Sequence, residues 1–424
     1  MDSDAIVAKN PMARVMSLRD FRLLFAGATT SLLGDQFALI ATPWLVLRLT
    51  GDPLVLGLVL AMGGIPRAVF MLIGGAITDR LSPRVLMLIS DILRFILTIW
   101  MTVAVFTNTV QVWMIYVFSV GFGLVAGFAV PAENSIVPMI VDTSDLQAGN
   151  SIMMGIAQLV GFVGPTIAGI LIGSYAKSTF GIALAYGLDA VSFAVSGVCI
   201  WLLHTGVSKS EERSDTKENL FGSILSGMKY LWHNHTMRMM FFVLMAVNFL
   251  LTGPLLVGIP ILADQKLAGG ATAFGILMSA YAGGNLIGFI IAGSLPRLGG
   301  AGIRTLIIVL LFGFGIVIGS LGLITSVWLG FALLFIVGIG NGYLGILLFT
   351  WLQTETPIDM LGRIMSILLF SNLGLTPISQ AVSGAVIKWN LNALFLSAGT
   401  LVVLLTLWTS IRPELKDFSE SLVR

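Results

Sequence analysis

The residues best equipped to do chemistry in this chain are a few ionisable groups set inside long apolar runs. Asp35 lies within the run 21–49 and is followed by Gln36. In a helix it would sit about 14 residues, roughly 21 Å, from the start of that run. Asp189 lies within the run 180–203, and Asp91 and Arg94 lie within the run 84–106. Three residues apart on a helix, Asp91 and Arg94 share a face and are expected to form a local pair near one membrane surface. An ionised side chain at the centre of a bilayer costs ~3 kcal/mol or more, so each such group is read first as functional. For Asp35 the functional readings are loading and releasing a proton or binding a cationic substrate. The alternative is a structural carboxylate hydrogen-bonded to a neighbouring helix.

Other chemistries are disfavoured. The three histidines, His204, His233 and His235, all fall in one polar stretch, so no His/carboxylate or Ser/His set occurs within the apolar runs and enzymatic activity is not expected. His233 and His235 flank Asn234 with no Cys or carboxylate at ligand spacing, so neither a metal nor another cofactor is expected. There is no Gly-x-x-x-x-Gly-Lys-Ser/Thr loop for ATP, no ring of like charges and no carbonyl-filter motif for a channel. Cys199 is alone, and a net charge of +2 gives no argument for nucleic acid.

The elements that must hold these groups follow from composition. Only 44 of 424 residues are charged and 57% are hydrophobic, which excludes a water-soluble fold. A hydrocarbon core about 30 Å thick needs about 20 apolar residues per helix. Twelve runs of that kind are present, at 21–49, 54–78, 84–106, 111–132, 147–174, 180–203, 238–263, 272–295, 304–325, 328–352, 362–387 and 392–411. They are apolar all round and do not alternate, which excludes a β-barrel. The first run carries Asp35 at its middle and no cleavage pattern after it, so it reads as a span and not as a signal peptide. Ser17-Leu18-Arg19-Asp20 reads as a capping box opening the first helix. Seventeen Lys and Arg fall on the side of the two termini against four on the other, so the positive-inside bias places both termini in the cytoplasm.

The polar stretch 204–237 divides the chain into an N-terminal six-helix bundle, 1–203, and a C-terminal one, 238–424. Within it Phe221, Ile224, Leu225, Met228, Leu231 and Trp232 recur at helical spacing opposite Ser223, Ser226, Lys229 and His233. That pattern predicts an amphipathic helix on the membrane surface. The halves echo each other at an offset of roughly 212 to 222 residues. Glu133 and Pro138 are mirrored by Glu355 and Pro357, and Gly164-Pro165 by Gly374 and Pro377. The loop from Gly75 to Arg84 is echoed by Gly293 to Arg297 with Arg304. Such duplication predicts pseudo-symmetric bundles with a cavity between them.

Gly75-Ala76-Ile77-Thr78-Asp79-Arg80-Leu81-Ser82-Pro83-Arg84 resembles the loop signature between the second and third helices of the major facilitator superfamily, with Ser82 and Pro83 replacing the usual glycine and basic residue. The resemblance implies that Gly75, Asp79, Arg80 and Arg84 belong to a cytoplasmic gate, with Glu133 as the expected acidic partner of the arginines. Gly164-Pro165-Thr166-Ile167-Ala168-Gly169 is similar to the Gly-Pro-x-x-Gly-Gly element of proton-coupled exporters in that superfamily, departing at Ala168. Pro165 would bend the helix, while Gly161, Gly164 and Gly169 would let it approach a neighbour. Leu352-Gln353-Thr354-Glu355-Thr356-Pro357 running into Met360-Leu361-Gly362-Arg363 resembles the segment before the eleventh helix of enterobactin exporters and macrolide-efflux pumps. Asp91, Arg94 and Gly34-Asp35 fit the same bacterial efflux branch.

The fold this resemblance implies is an all-α membrane protein of twelve transmembrane helices in two pseudo-symmetric six-helix bundles. The first, fourth, seventh and tenth helices of the superfamily line its cavity. That makes Asp35 and Gln36, then Asn248, Asn341 and Tyr343, candidates for proton coupling or substrate contact, with Tyr281, Asn285, Asn372 and Gln380 behind them. Asp189 falls on a helix peripheral in that fold, where helix-to-helix hydrogen bonding is the expected role. The gate set would also include Asp91, Arg94 and Arg363. Arg67 could either snorkel outward or pair with an acid. The implied function is a secondary exporter of the inner membrane, a monomer that exchanges protons for small amphipathic or hydrophobic drugs or metabolites, the proton-coupled multidrug antiporter type. An importer, or a siderophore or lipid transporter on the same scaffold, is the alternative.

Overall fold

A computed structural model of the chain describes residues 10–78, 82–204, 220–294 and 299–422. Among the described residues twelve helices are long and apolar enough to cross a membrane. The first six spans are Arg19–Thr50, Pro53–Thr78, Pro83–Phe106, Val112–Ile136, Leu146–Ser174 and Phe180–Trp201. The seventh runs from His235 to Gln265, and the rest are Ala271–Ser294, Gly300–Leu321, Val327–Glu355, Ile358–Trp389 and Leu391–Ser410. A linker helix occupies Leu220–His233 and a short amphipathic helix, Pro413–Ser421, follows the last span.

The start of the first span differs from its expected capping box. Ser17 ends a separate helix, Pro11–Ser17, whose N-terminus is capped by the Asn10 side chain accepting from the Met12 amide at 3.0 Å. With its hydroxyl donating backward to the Arg14 carbonyl, Ser17 is not available to the next helix, which opens at Leu18 without a side-chain cap. Arg14 fixes this short helix by donating through Nε and Nη2 to the two Asp145 oxygens at 3.0 and 2.5 Å. These bonds hold the Arg14 guanidinium above its ordinary pKa.

Two compact units partition the chain: Met1–Gly51 with Met62–Arg213, and Asp52–Ala61 with Ser214–Arg424. In the first unit the first span packs on the fifth and sixth, and the third on the fourth and sixth. In the second the eighth packs on the tenth, the ninth on the twelfth, and the eleventh on both the seventh span and the linker helix. Without a hydrophobic driving force between helices in lipid, such contacts depend on close backbone approach through small residues. Gly338 and Gly342 of the tenth span press against the backbone of Tyr281 and Asn285, while Gly284 and Gly288 of the eighth press against Phe335 and Ile339. The first unit repeats the device, with Gly123 against the backbone of Gly63 and Gly127 against Phe70 and the Arg67 carbonyl. Gly338 and Gly342 follow Gly123 and Gly127 by 215 residues, inside the offset range of the sequence echoes.

Residues 52–61, the beginning of the second span, pack on the end of the eleventh. A Cβ on Gly57 would stand 2.5 Å from the Gln380 carbonyl, and one on Gly384 would stand 2.6 Å from the Pro53 carbonyl. Asp52 caps the second span by accepting from the Leu54 amide at 2.8 Å, and it also faces Lys388 at 3.7 Å. The seventh span carries a π-helical turn at Pro254–Gly258. Its cause is visible one residue earlier. The Ser379 hydroxyl donates to the Phe249 carbonyl at 2.5 Å and accepts from the Gly253 amide at 2.9 Å, standing between the two groups that an α-helix would join directly.

Alanine substitution separates the contact from intrinsic helix propensity. Gly→Ala gains up to ~1 kcal/mol in a helix interior, whereas forcing a Cβ into a filled contact costs about 1–3 kcal/mol. Gly338→Ala is expected to lower the melting temperature in detergent, whereas Gly313→Ala, where a Cβ meets nothing within 4 Å, is expected to hold or raise it. Equal shifts by scanning fluorimetry would contradict close packing at Gly338.

Candidate functional site

The first span places three consecutive residues on three different tasks. Gly34 faces the sixth span, where a Cβ would collide with Ser192 Oγ and come within 2.6 Å of Asp189 Oδ1. Gln36 turns toward the fifth span, and its aliphatic carbons occupy the space that a Cβ on Gly164 would need. Between these contacts Asp35 remains half-buried, and the charges acting on it are those of Arg94, Glu133 and Arg67.

Asp189 is 0% exposed, and neither of its carboxylate oxygens has a hydrogen-bond partner. Ser192 stands beside it but donates to the Asp189 backbone carbonyl at 2.7 Å. One turn earlier, Tyr186 is buried and hydrogen-bonded to Thr42 at 2.8 Å, with Phe118 edge-on to its ring. The expected helix-to-helix hydrogen bond at Asp189 is therefore absent. The carboxyl is enclosed by Gly34 and by its own helix, with the Ser192 hydroxyl as its polar neighbour.

Arg94 lies in the middle of the third span and is 5% exposed. Its guanidinium sits over the rings of Phe122 and Phe193, at 5.7 and 5.6 Å from their centroids, an arrangement that compensates part of its lost hydration. Nη1 faces Glu133 Oε1 at 3.6 Å, while Nε has no acceptor. Asp91 is buried one turn before Arg94, with Ser196 hydrogen-bonded to its side chain and Oδ2 left without a partner. Glu133, Asp35, Asp91 and Asp189 all act electrostatically on Arg94. One buried guanidinium thus faces the buried or partly buried Asp35, Asp91 and Asp189 and the exposed Glu133, with exposed Arg67 as a second positive charge on Asp35. In a medium of low dielectric the three buried or partly buried carboxyls are balanced by one buried cation only when some of them carry protons. The arrangement can take up and give up protons, or exchange one for a cation.

Several expected positions differ. Glu133 faces Arg94, and Arg84 instead closes the end of the sixth span, donating through Nε to the Ile200 carbonyl at 3.1 Å and through Nη2 to the Trp201 carbonyl at 2.5 Å. The last carbonyls of a helix lack i+4 partners and keep acceptor capacity, which Arg84 fills. Asp91 and Arg94 do not form the expected local ion pair: both are buried, Arg94 stands at the middle of the third span, and its Nη1 faces Glu133 of the fourth. Asp79 and Arg80 lie outside the described residues, as do the surroundings of Gly75. Arg67 is exposed and acts on Asp35. Asn248 donates to its own helix at the Leu244 carbonyl, and Asn341 donates to Asn285 Oδ1 at 3.4 Å, joining the tenth span to the eighth. Tyr343 is half-buried on the tenth span. Arg363 donates to Ser226 Oγ at 2.9 Å and ties the linker helix to the eleventh span, beside Gly227. Gly164, Pro165 and Gly169 are buried in a fifth span that stays helical through the proline, while Gly161 meets nothing within 4 Å.

Sequence reasoning missed the convergence of the sixth span on this cluster. A signal was present: Asp189, Ser192 and Ser196 recur at i, i+3 and i+7, a polar stripe on one face of a helix that is otherwise apolar.

Twelve spans with ionisable groups buried among them define a polytopic membrane transporter scaffold, and comparison with known proteins specifies it. The family model of the Major Facilitator Superfamily matches residues 24–378. The chain belongs to that superfamily and is a multi-pass membrane transporter. It is 28% identical over 221 residues to the multidrug efflux pump Tap of Mycolicibacterium fortuitum, a match spanning 51% of this chain and 53% of the pump. It is 25% identical over 365 residues to the enterobactin exporter EntS of Shigella boydii, spanning 86% of this chain and 84% of the exporter. Among solved structures, a mutant of the nucleoside transporter NupG matches with a TM-score of 0.71 at 13% identity, covering 93% of this chain and 100% of the transporter. A POT family transporter in complex with 5-aminolevulinic acid matches with a TM-score of 0.70 at 15% identity, covering 92% and 95%. At these identities the structural likeness shows the fold.

Removing Arg94, the one buried Lys or Arg among the described residues, takes away the main counter-charge of these carboxyls, which costs about 3–5 kcal/mol. The folded Arg94→Met variant must then bind more protons than the unfolded chain, so its stability falls as pH rises. Arg94→Met is expected to melt well below the wild type at about pH 8 and to recover much of the difference at about pH 5. A deficit independent of pH would show that Arg94 serves packing alone.

Proposed function

We propose that the protein is a secondary active exporter in which inward proton movement drives small amphipathic or hydrophobic organic molecules, drugs or metabolites, out of the cell. The observation that carries this reading is the set of three buried or partly buried carboxyls, Asp35, Asp91 and Asp189, around one buried arginine in the first unit. A purely structural network would balance its charges, whereas a proton-coupled one needs acids that can be filled and emptied. Outward direction is supported by relatives whose names describe an efflux pump and an exporter.

In this mechanism Asp35 is the group that exchanges its proton. Unlike Asp91 and Asp189, it is only partly buried, and it lies between the Gly34 and Gln36 contacts that bind the first span to the sixth and fifth. Proton loss leaves a carboxylate that attracts either Arg94 or a cationic substrate, and protonation releases that substrate. Rocking of the 1–203 and 238–424 bundles about the 204–237 linker supplies alternating access. The protein works as a monomer in the inner membrane with both termini cytoplasmic, consistent with the distribution of basic residues. Within the superfamily, siderophore export is the second reading, favoured by the near full-length match to EntS.

The test uses everted vesicles with an imposed pH gradient and a substrate chosen from a susceptibility and metabolite-export panel in a host lacking its own pumps. Asp35→Asn is expected to reduce proton-driven accumulation at least tenfold while expression and melting temperature stay near wild type. Wild-type accumulation by that variant would remove Asp35 from the coupling mechanism.

A further inference from the structure

The helix ends at Arg238 and Arg412 form a second recognition feature, independent of the carboxyl cluster. The seventh span begins at His235 and the twelfth ends at Ser410, and the two helices pack together. Phe242 of the seventh meets Trp408 of the twelfth edge-on, with ring centroids 5.7 Å apart. Arg238 precedes Phe242 by four residues, and Arg412 follows Trp408 by four. The two spans run in opposite directions, so both arginines stand about one helical turn, ~5.4 Å, beyond the aromatic pair toward the same membrane surface.

Both guanidiniums are held in place. Arg412 lies over the Trp408 ring at 4.6 Å. Arg238 lies over the Trp232 ring at 5.9 Å, donates through Nη1 to the Trp232 carbonyl at 3.1 Å, and meets His235 Nδ1 through Nη2 at 2.9 Å. Neither arginine forms an ion pair with a described carboxylate, and Glu414, the acid nearest Arg412 in sequence, forms none with it. His233 and Lys229 on the linker helix add exposed polar groups at the same level. Below the arginines the surface is apolar: Phe242 is 55% exposed, Leu404 55%, Leu407 53% and Ile411 76%, with Trp232 at 62% beside Arg238.

Two oriented cations above an exposed aromatic and aliphatic track complement a molecule with an anionic head and a hydrocarbon tail. We propose that this edge, formed by the linker helix and the seventh and twelfth spans, is a binding site for an anionic phospholipid. The phosphate is held between Arg238 and Arg412, and an acyl chain lies along Phe242, Leu404 and Leu407. The geometry exceeds ordinary interfacial snorkelling, in which long basic side chains reach the headgroup layer singly and without fixed orientation. Occupancy would brace the end of the linker helix, which Arg363 and Ser226 join to the eleventh span.

Native mass spectrometry of the purified full chain tests this, with phosphatidylglycerol, phosphatidylcholine and inorganic phosphate as separate probes. Arg238→Gln/Arg412→Gln is expected to reduce phosphatidylglycerol adducts at least fivefold relative to wild type and to leave phosphatidylcholine adducts unchanged. Arg19→Gln/Arg22→Gln, which removes two positive charges at the start of the first span, is expected to leave both unchanged. Equal losses in the two double variants would reduce the site to general surface charge and overturn it. Displacement of phosphatidylglycerol by inorganic phosphate at equal concentration would show a phosphate site instead of a lipid site. A third variant, Phe242→Ala with both arginines intact, guards against misfolding of the double variant. It is expected to weaken phosphatidylglycerol binding at least twofold, and unchanged binding would overturn the acyl track.

Discussion

Much of the first unit is organised by one electrostatic constraint: a guanidinium in the middle of an apolar helix cannot be left without compensation. Arg94 obtains that compensation from two aromatic faces and from carboxyls on four helices. The packing of the unit follows from meeting it. Gly34 lets the sixth span bring Asp189 up to the first, Gly164 makes room for Gln36, Ser196 bonds Asp91, and Arg94 faces Glu133. The same constraint leaves a surplus of acids over cations. In a low dielectric that surplus is tolerated only through protons, so the requirement that shapes the unit also leaves it acids able to exchange protons, the basis of the proposed coupling.

The second unit is held by different means. Its described residues show no comparable ionic cluster, and its helices approach through interleaved glycines at 284, 288, 338 and 342. The Ser379 hydroxyl inserted into the seventh span at Phe249 and Gly253 adds a point of distortion to a helix whose homologous position in the superfamily lines the transport path. One half carrying the titratable groups and the other carrying close-packed, locally distorted helices is a division of labour suited to a rocking transporter. Both halves nevertheless keep the duplicated glycine contact.

The spans were legible in the sequence because length and hydropathy are local properties. Expected and observed boundaries agree within a few residues at nearly all the ends, including the linker helix, whose periodicity from Phe221 to Trp232 was explicit. Partners were not legible, because nothing local encodes them. Glu133 was expected, from the resemblance, to partner the loop arginines, whereas the Ile200 and Trp201 carbonyls at the end of the sixth span hold Arg84. Asp189 was read as peripheral because the sixth helix was taken as a unit, although its 189, 192 and 196 stripe already marked a face turned inward. The Ser17 capping box failed for a local reason that could have been read: Asn10-Pro11 is itself a strong helix start, and the helix it opens consumes Ser17.

The central claim is that the Arg94 cluster stores protons at neutral pH. Infrared spectroscopy of the protein in lipid, following the carbonyl stretch of protonated carboxyl groups, measures this directly. The account predicts a protonated-carboxyl band at neutral pH that shifts on transfer to deuterated water, is diminished in an Asp35→Asn/Asp189→Asn double variant, and disappears on raising the pH. A wild-type spectrum with no such band at neutral pH, or a band untouched by removing both carboxyls, would contradict it.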